Sequence, residues 1–336
     1  MEIRKNSRWI VSLFVFFTLV LGPIAASAAQ KEITRKMVLA GRLGDAYFVL
    51  SQALANFVNK QSDWLRLDVV ATPGASAGAE MASKDYEKYL FISPFYGMRF
   101  NPTDKRVNFY DKERIIGLCS ANLHLWITFD QNIKTAKDLE GKKVFIGRPG
   151  GARTIIENMV LKEQGVFDKV KLLHGGFEGG VTALRDGLAD VTVTAPDYIL
   201  PSTFKKGQYI EDLETRKPVY YPHIIPKPLQ LKLGMIPVKI QAGALDKKTQ
   251  PEDVYAAMDP IFWCADARMD DAVVREVTRI LYNNTDQFAS WHAQGGSITK
   301  ESVCTWVIKP EQMHPAATKY YQEQGAKVKA LLDILP

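Results

Sequence analysis

Between Ile133 and Asp197 short apolar runs alternate with helix-length segments, and each run ends at glycine or proline. Val144-Phe145-Ile146 opens into Gly147-Arg148-Pro149-Gly150-Gly151-Ala152-Arg153-Thr154, with a helix pattern over 155–164. Val170 to Leu173 opens into His174-Gly175-Gly176, with a helix over 181–187, and Asp190 to Thr194 ends at Ala195-Pro196-Asp197. Strands that alternate with helices predict a parallel, doubly wound sheet. In such a sheet the turns at the carboxyl ends of the strands are where ligands sit. A binding site in this chain is therefore expected on its glycine turns.

The same alternation starts upstream. Met37 to Ala40 runs into Gly41-Arg42-Leu43-Gly44-Asp45-Ala46-Tyr47, and Phe48, Leu50, Ala53, Leu54, Phe57 and Val58 then recur at helical spacing. Leu65 to Val70 reads as a strand ending at Thr72-Pro73-Gly74-Ala75-Ser76-Ala77-Gly78, and Leu90 to Ile92 as one ending at Ser93-Pro94. Ile115 to Phe129 is too rich in β-branched and aromatic residues for a helix. The proline-rich stretch 218–228 reads as a crossing or surface loop. The last third reads as mostly helical, with helices over 271–283 and 316–332.

Residues 1–28 read as an address. Arg4, Lys5 and Arg8 precede an apolar run from Trp9 to Leu21, then Gly22-Pro23 and the small residues Ala26-Ser27-Ala28. This order is that of a secretory signal cleaved near Ala28, and the run is shorter than the roughly 20 residues of a spanning helix. The expected location of the mature chain is the periplasm. Without this segment the net charge falls from +6 to +4, and no basic run of five or more occurs. Nucleic-acid binding has no footprint of charge here.

Catalytic and metal motifs are sparse. His124, His174, His223, His292 and His314 are scattered, and no C-x-x-C or H-E-x-x-H occurs. Neither G-x-G-x-x-G nor a P-loop ending is present, so no cofactor is expected. Of Cys119, Cys264 and Cys304 at least one is unpaired, and Cys119 and Cys264, which lie in apolar runs, read as small buried hydrophobes or as a disulfide formed after export. Gly74-Ala75-Ser76-Ala77-Gly78 matches a nucleophile elbow, and Asp197 and His223 follow in the right order for a serine hydrolase. The alternative is a tight turn whose free N–H groups, with the Ser76 hydroxyl, bind a carboxylate. Gly150 and Gly151 begin a helix in the same way, with Arg148 or Arg153 to supply positive charge. An arginine in a first helical turn opposes the helix dipole, which hints that Arg153 has a partner.

The order of motifs resembles the TAXI family of TRAP-transporter solute receptors over about residues 36–325. The residues that carry the resemblance are Gly41 to Phe48, Thr72 to Ser76, the hinge-like segment from Arg114, Ile133 to Gly151 with Asp138-Leu139-Glu140-Gly141-Lys142, Phe177 to Asp190, Cys264 to Thr278, and His314-Pro315-Ala316-Ala317. The resemblance implies an α/β, two-lobed periplasmic-binding-protein fold of the Venus-flytrap type II, each lobe a doubly wound sheet. Residues 29–128 with 236–336 would form lobe one, and 129–235 lobe two. It implies no enzyme but a monomeric receptor that hands a small organic anion to TRAP permease subunits. An ABC importer or a sensor kinase are alternative partners for the same fold.

The turns depart from the family pattern at three walls. Gly151, Ala152 and Arg153 stand where Ser-Gly-Thr is usual, which loses two hydroxyls and gains a guanidinium, Asp45-Ala46 replaces a Gly-Thr pair, and Ser93-Pro94-Phe95 replaces Gln-x-Asp. The expected ligand-binding residues are Arg42, Gly44, Asp45, Tyr47, Gly74, Ser76, Ser93, Phe95, Arg148, Gly150, Gly151, Arg153, Thr154, Pro196, Asp197 and Tyr198. Tyr47, Phe95, Tyr198 and Trp263 read either as aromatic walls or as core.

Overall fold

The glycine-punctuated runs become the strands of one mixed sheet in a computed structural model, which describes residues 32–94, 111–149, 152–199, 203–233 and 235–335. At one end β1 (Thr34–Leu39), β2 (Leu65–Val70) and β3 (Tyr89–Pro94) are parallel, with β1 in the middle. Helices α1 (Ala46–Gln61) and α2 (Ala75–Lys84) connect them. The long strand β4 (Glu113–Thr128) follows. At the other end β5 (Lys143–Ile146), β6 (Lys171–His174) and β7 (Val191–Thr194) are again parallel, with β5 in the middle. Their connecting helices are α3 (Ala152–Glu163) and α4 (Phe177–Arg185). The two parallel sets are those expected from the alternation of runs and turns.

The middle of the sheet is antiparallel, which that alternation did not indicate. After the ribbon of β8 (Asp197–Ile199) and β9 (Thr203–Lys205) come α5 (Gln208–Glu214), α6 (Lys227–Lys232), β10 (Ile236–Ile240) and β11 (Val254–Asp266). β11 lies antiparallel to β3, β4 and β10. β4 pairs with β11 over Glu113–His124 and with β7 over Leu125–Thr128. The strand order is β2-β1-β3-β11-β4-β7-β5-β6, with β10 beside β11. β4 therefore joins one parallel set to the other. Both β4 and β11 are buried almost throughout, as strands covered on both faces must be.

Two main apolar clusters flank the sheet. The larger gathers Val38, Leu50, Phe91, Leu118, Phe262 and Val277, and the smaller gathers Val144, Ile146, Ile156, Val160, Val193 and Ile224. Trp263 is core: it is 1% exposed and its Nε1 donates to Ser51 Oγ at 3.0 Å. The proline-rich stretch is no surface loop, since Val219, Tyr221, Ile224 and Ile225 are buried and Tyr220 bridges Thr128. Cys119, Cys264 and Cys304 are buried and unbridged.

α7 (Asp271–Asn283) follows β11 and begins with Asp270 Oδ1 accepting from Ala272 N. β12 (Thr305–Trp306), α8 (Pro315–Glu323) and β13 (Lys329–Ala330) complete the chain. The last helix is shorter than its apolar periodicity predicts. Gly325 takes φ +73°, a turn conformation that ends the helix, and the chain then pairs with β12. Among the described residues no helix is long and apolar enough to cross a membrane. Phe95, Gly150, Gly151 and the segment 1–28 lie outside the described residues.

Close packing of α7 and α8 on β4 leaves no room for a side chain at Gly117. A Cβ there would sit 2.7 Å from Leu281 Cδ2, 2.8 Å from Val303 Cγ2 and 3.0 Å from the Tyr321 hydroxyl. Gly117→Ala is therefore expected to lower the unfolding free energy by about 1–3 kcal/mol, the usual cost of overpacking. Urea denaturation of the two proteins measures it, and an unchanged midpoint would contradict this packing.

Candidate functional site

A cavity of about 810 Å³ opens where the carboxyl ends of both parallel sets converge. That volume is in the range of small-molecule sites. Its walls come from the turns after β1, β2, β5 and β6, and its floor includes Asn122 of β4 and Asp259 and Ile261 of β11. Gly207-Gln208-Tyr209 at the start of α5 and the segment His292-Ala293-Gln294 complete the lining.

One wall is the pair of turns after β1 and β2. Gly44 takes φ +86°, which lets the chain reverse into α1 with Asp45 at the helix start. Arg42 Nε donates to the Pro73 carbonyl at 2.7 Å, and Thr72 N donates to the Gly41 carbonyl at 2.7 Å, so the two turns are tied together. Burial pushes the Asp45 carboxyl above the ordinary carboxylate range, against the pull of Arg42 and Arg148. Burial also pushes the Tyr47 phenol up, and the Asp45 and Asp259 carboxylates beside it add to the effect.

The facing wall is the β5–α3 turn, and a buried carboxylate organises it. Glu157 is fully buried on α3. Its Oε2 accepts from Gly147 N at 2.8 Å, and its Oε1 accepts from Arg153 Nε at 2.7 Å. Arg153 Nη2 also donates to the Val193 carbonyl. This is the partner that the helix-dipole argument asks for, and it belongs to the protein itself. Burial alone would raise the Glu157 carboxyl, but the Arg153 guanidinium and the His124 ring more than offset it and hold it below its ordinary value. His124 Nδ1 lies 3.8 Å from Glu157 Oε1. Gly147 is needed for close approach, since a Cβ would sit 2.7 Å from Thr154 Oγ1 and 2.9 Å from Thr154 N.

Arg148 differs from its neighbours. Arg42 is held by Pro73, Arg153 by Glu157, but Arg148 makes no ion pair or hydrogen bond through its side chain among the described residues. Its guanidinium lies against Gly176 and within electrostatic reach of Asp45. It is exposed to the cleft. A planar fork of donors on a cavity wall suits a carboxylate or a sulfonate.

Of the expected site residues the cavity brings together Arg42, Gly44, Asp45, Tyr47, Gly74, Arg148 and Arg153. Ser93 and Thr154 are buried outside its lining, and the Thr154 hydroxyl donates to the Arg148 carbonyl at 2.5 Å. Pro196 is buried next to the lining residue Ala195. Ser76 lies in the first turn of α2, and Asp197 and Tyr198 lie in β8. His223 lines a separate cavity of about 280 Å³ with Lys134, Tyr221 and Gln250, away from the turn that carries Ser76. Asn122, Asp259, Glu178, Tyr209 and Gln294 were not expected from sequence. Gln294 is held over β4 by Ser120 Oγ, which donates to its Oε1 at 3.0 Å. Among the described residues no group of three or more His, Cys, Asp or Glu is placed to hold a metal ion.

Removing one partner from a buried charge pair leaves the other uncompensated, at a cost of about 3–5 kcal/mol. Glu157→Gln is expected to lose stability of that order at pH 7. The folded value of this carboxyl is depressed, so its contribution is present above its ordinary value of 4.5 and is lost as pH falls through the folded value. Denaturation of both proteins from pH 7 to pH 3 should therefore show a gap that narrows on the acid side. A constant gap would contradict the assignment.

The comparisons with known proteins agree with this architecture. A solved structure described as a periplasmic transporter superposes with TM-score 0.52 at 12% identity, covering 88% of this chain and 96% of that one. MatC from Rhodopseudomonas palustris, solved with bound malate, superposes with TM-score 0.50 at 13% identity, covering 87% and 96%. At such identities the likeness is one of fold, and the fold is that of periplasmic binding proteins. The model of the NMT1-like family matches residues 38–325, which is most of the sequence, and the chain belongs to that family.

Proposed function

We propose that this chain is an exported solute receptor of the TAXI type that captures a small organic acid and delivers it to a TRAP permease driven by an ion gradient. The observation that carries the reading is Arg148: a guanidinium with no side-chain hydrogen bond or ion pair among the described residues, on the wall of a cavity where the carboxyl ends of six parallel strands converge. In this reading 29–128 with 236–336 form one lobe and 129–235 the other, joined through β4, which pairs with β11 on one side of the junction and with β7 on the other. Closure of such lobes would enclose the solute. The signal-like segment at 1–28 supports export.

Hydrolysis through Ser76 is the weaker reading, because His223 lines a different cavity. An ABC importer would use the same fold, and uptake that requires ATP instead of an ion gradient would identify that partner.

The mature protein, unfolded and refolded to strip any solute, is expected to respond to one member of a panel of carboxylates and sulfonates in a thermal-shift assay. At 100 times its Kd a ligand adds about 2.7 kcal/mol, or roughly 4 °C for a chain of this size. Arg148→Ala should weaken that ligand by about 10–100-fold, the scale of a charge-assisted pair. An unchanged affinity would remove Arg148 from the site.

A further inference from the structure

Asp45 stands at the start of α1 but does not cap it. Its side chain accepts no hydrogen bond from the first turn of the helix, although an aspartate in that position usually does. The carboxylate leans back toward the β1 turn instead, with Oδ2 3.9 Å from the place a Cβ would take on Gly41. There it lines the cavity, half-buried.

Two cations act on this carboxylate. Arg42 does so from its own turn, through its guanidinium and its backbone, and Arg148 from the facing wall. Burial opposes both and prevails, so the group already holds a proton more readily than an ordinary aspartate. The other charged groups of the described lining are placed differently. Arg153 Nε is on Glu157, Glu80 pairs with Lys84 at 2.7 Å, and Glu178 and Asp259 line the cavity from α4 and β11. The Tyr47 phenol on α1 is pushed up by burial and by Asp45 and Asp259, so it stays neutral. Arg148 is thus the one cation of the facing wall that acts on Asp45 among the described residues, and it is also the group offered to the solute.

An acid group on Arg148 changes this balance. It draws on the charge of the guanidinium and brings a second anion beside Asp45. Two anions that share one cation in a half-buried space do not both stay ionised without cost, and one is driven to take a proton. We propose that capture of an acid on Arg148 is coupled to uptake of a proton by Asp45. This rests on the receptor reading above and adds that the receptor holds its solute more tightly as the medium becomes more acidic. The proton comes from solvent, and the neutral carboxyl gains an O–H to donate where the carboxylate offered only lone pairs. The sign follows from the empty protein. Its Asp45 value lies above the ordinary one and rises further with an anion beside it, so affinity is highest below the empty value and falls as pH rises through the bound value.

Calorimetry on the stripped protein between about pH 8 and about pH 5.5, in buffers of different ionisation enthalpy, counts the protons taken up. The probes are pyruvate, fumarate, benzoate and ethanesulfonate, which are ionised throughout that range, so the free solute has no proton to bring. The tightest of them is expected to bind with uptake of up to about one proton and to gain at least about threefold in affinity toward acid, with a ceiling of about tenfold per pH unit. Asp45→Asn, which keeps a residue suited to a helix start, should bind with no proton uptake and with the same affinity at every pH. Without any solute, Arg148→Gln should raise the pH at which the carbon NMR signal of the Asp45 carboxyl titrates, since it removes a cation. Binding without uptake, or a pH dependence that survives Asp45→Asn, overturns the coupling and leaves the receptor standing. An Asp45 signal that Arg148→Gln does not move also overturns the coupling. Binding of none of the acids overturns the receptor reading, and the coupling with it.

Discussion

The ladder between β4 and β11 is the constraint on which the rest depends. β4 is the strand that touches both parallel sets, with β11 along Glu113–His124 and β7 along Leu125–Thr128. Its pairing with β11 sets Asn122 opposite Asp259 and brings both to the floor of the cavity. The period of a strand makes this demanding, because a slip of one residue would turn both side chains to the other face. The register shifts at Ile261/Phe262 and Trp263/Cys264 adjust the twist beyond that point without disturbing the Asn122–Asp259 pairing.

Around that floor the described residues include three arginines, of which Arg148 makes no side-chain hydrogen bond or ion pair among the described residues. Glu157 holds Arg153, the Gly147 N–H and the neighbourhood of His124 together, so α3 is fixed to β4, β5 and β7 by one carboxylate. Such a cluster adds little net stability compared with apolar packing, but removing one member is costly. Its effect here is geometric. It sets the turn that presents Arg148, and the Thr154 hydroxyl on the Arg148 carbonyl fixes the backbone there. Positioning by buried neighbours is what gives a binding group a defined geometry.

Much of this was legible in the sequence, for a physical reason. Short apolar runs that end at glycine give the strands, and the rule that ligands sit at carboxyl ends points to the turns of Gly74 and Arg148, while Arg42, Asp45 and Tyr47 were expected from the family resemblance. β11 was not legible as a central strand. Asp259-Pro260 interrupts its apolar run, proline cannot donate to the ladder, and the register shift follows at Ile261. The feature that hid the strand is part of the site, where local rules are most often broken. Arg153 was legible as a residue in need of a partner, but not that Glu157, one turn along the same helix, is that partner. Asn122 sits in an apolar run in which a single amide carries no pattern. Its place at the cavity floor depends on β11 lying opposite, a pairing between residues far apart in the chain.

A crystal structure of the protein purified with the solute that it carries tests the central claim most directly. The account predicts a small molecule in the cavity of the β1, β2, β5 and β6 turns, with acid oxygens on Arg148. A solute bound elsewhere, or one whose acid group lies away from Arg148, would contradict it.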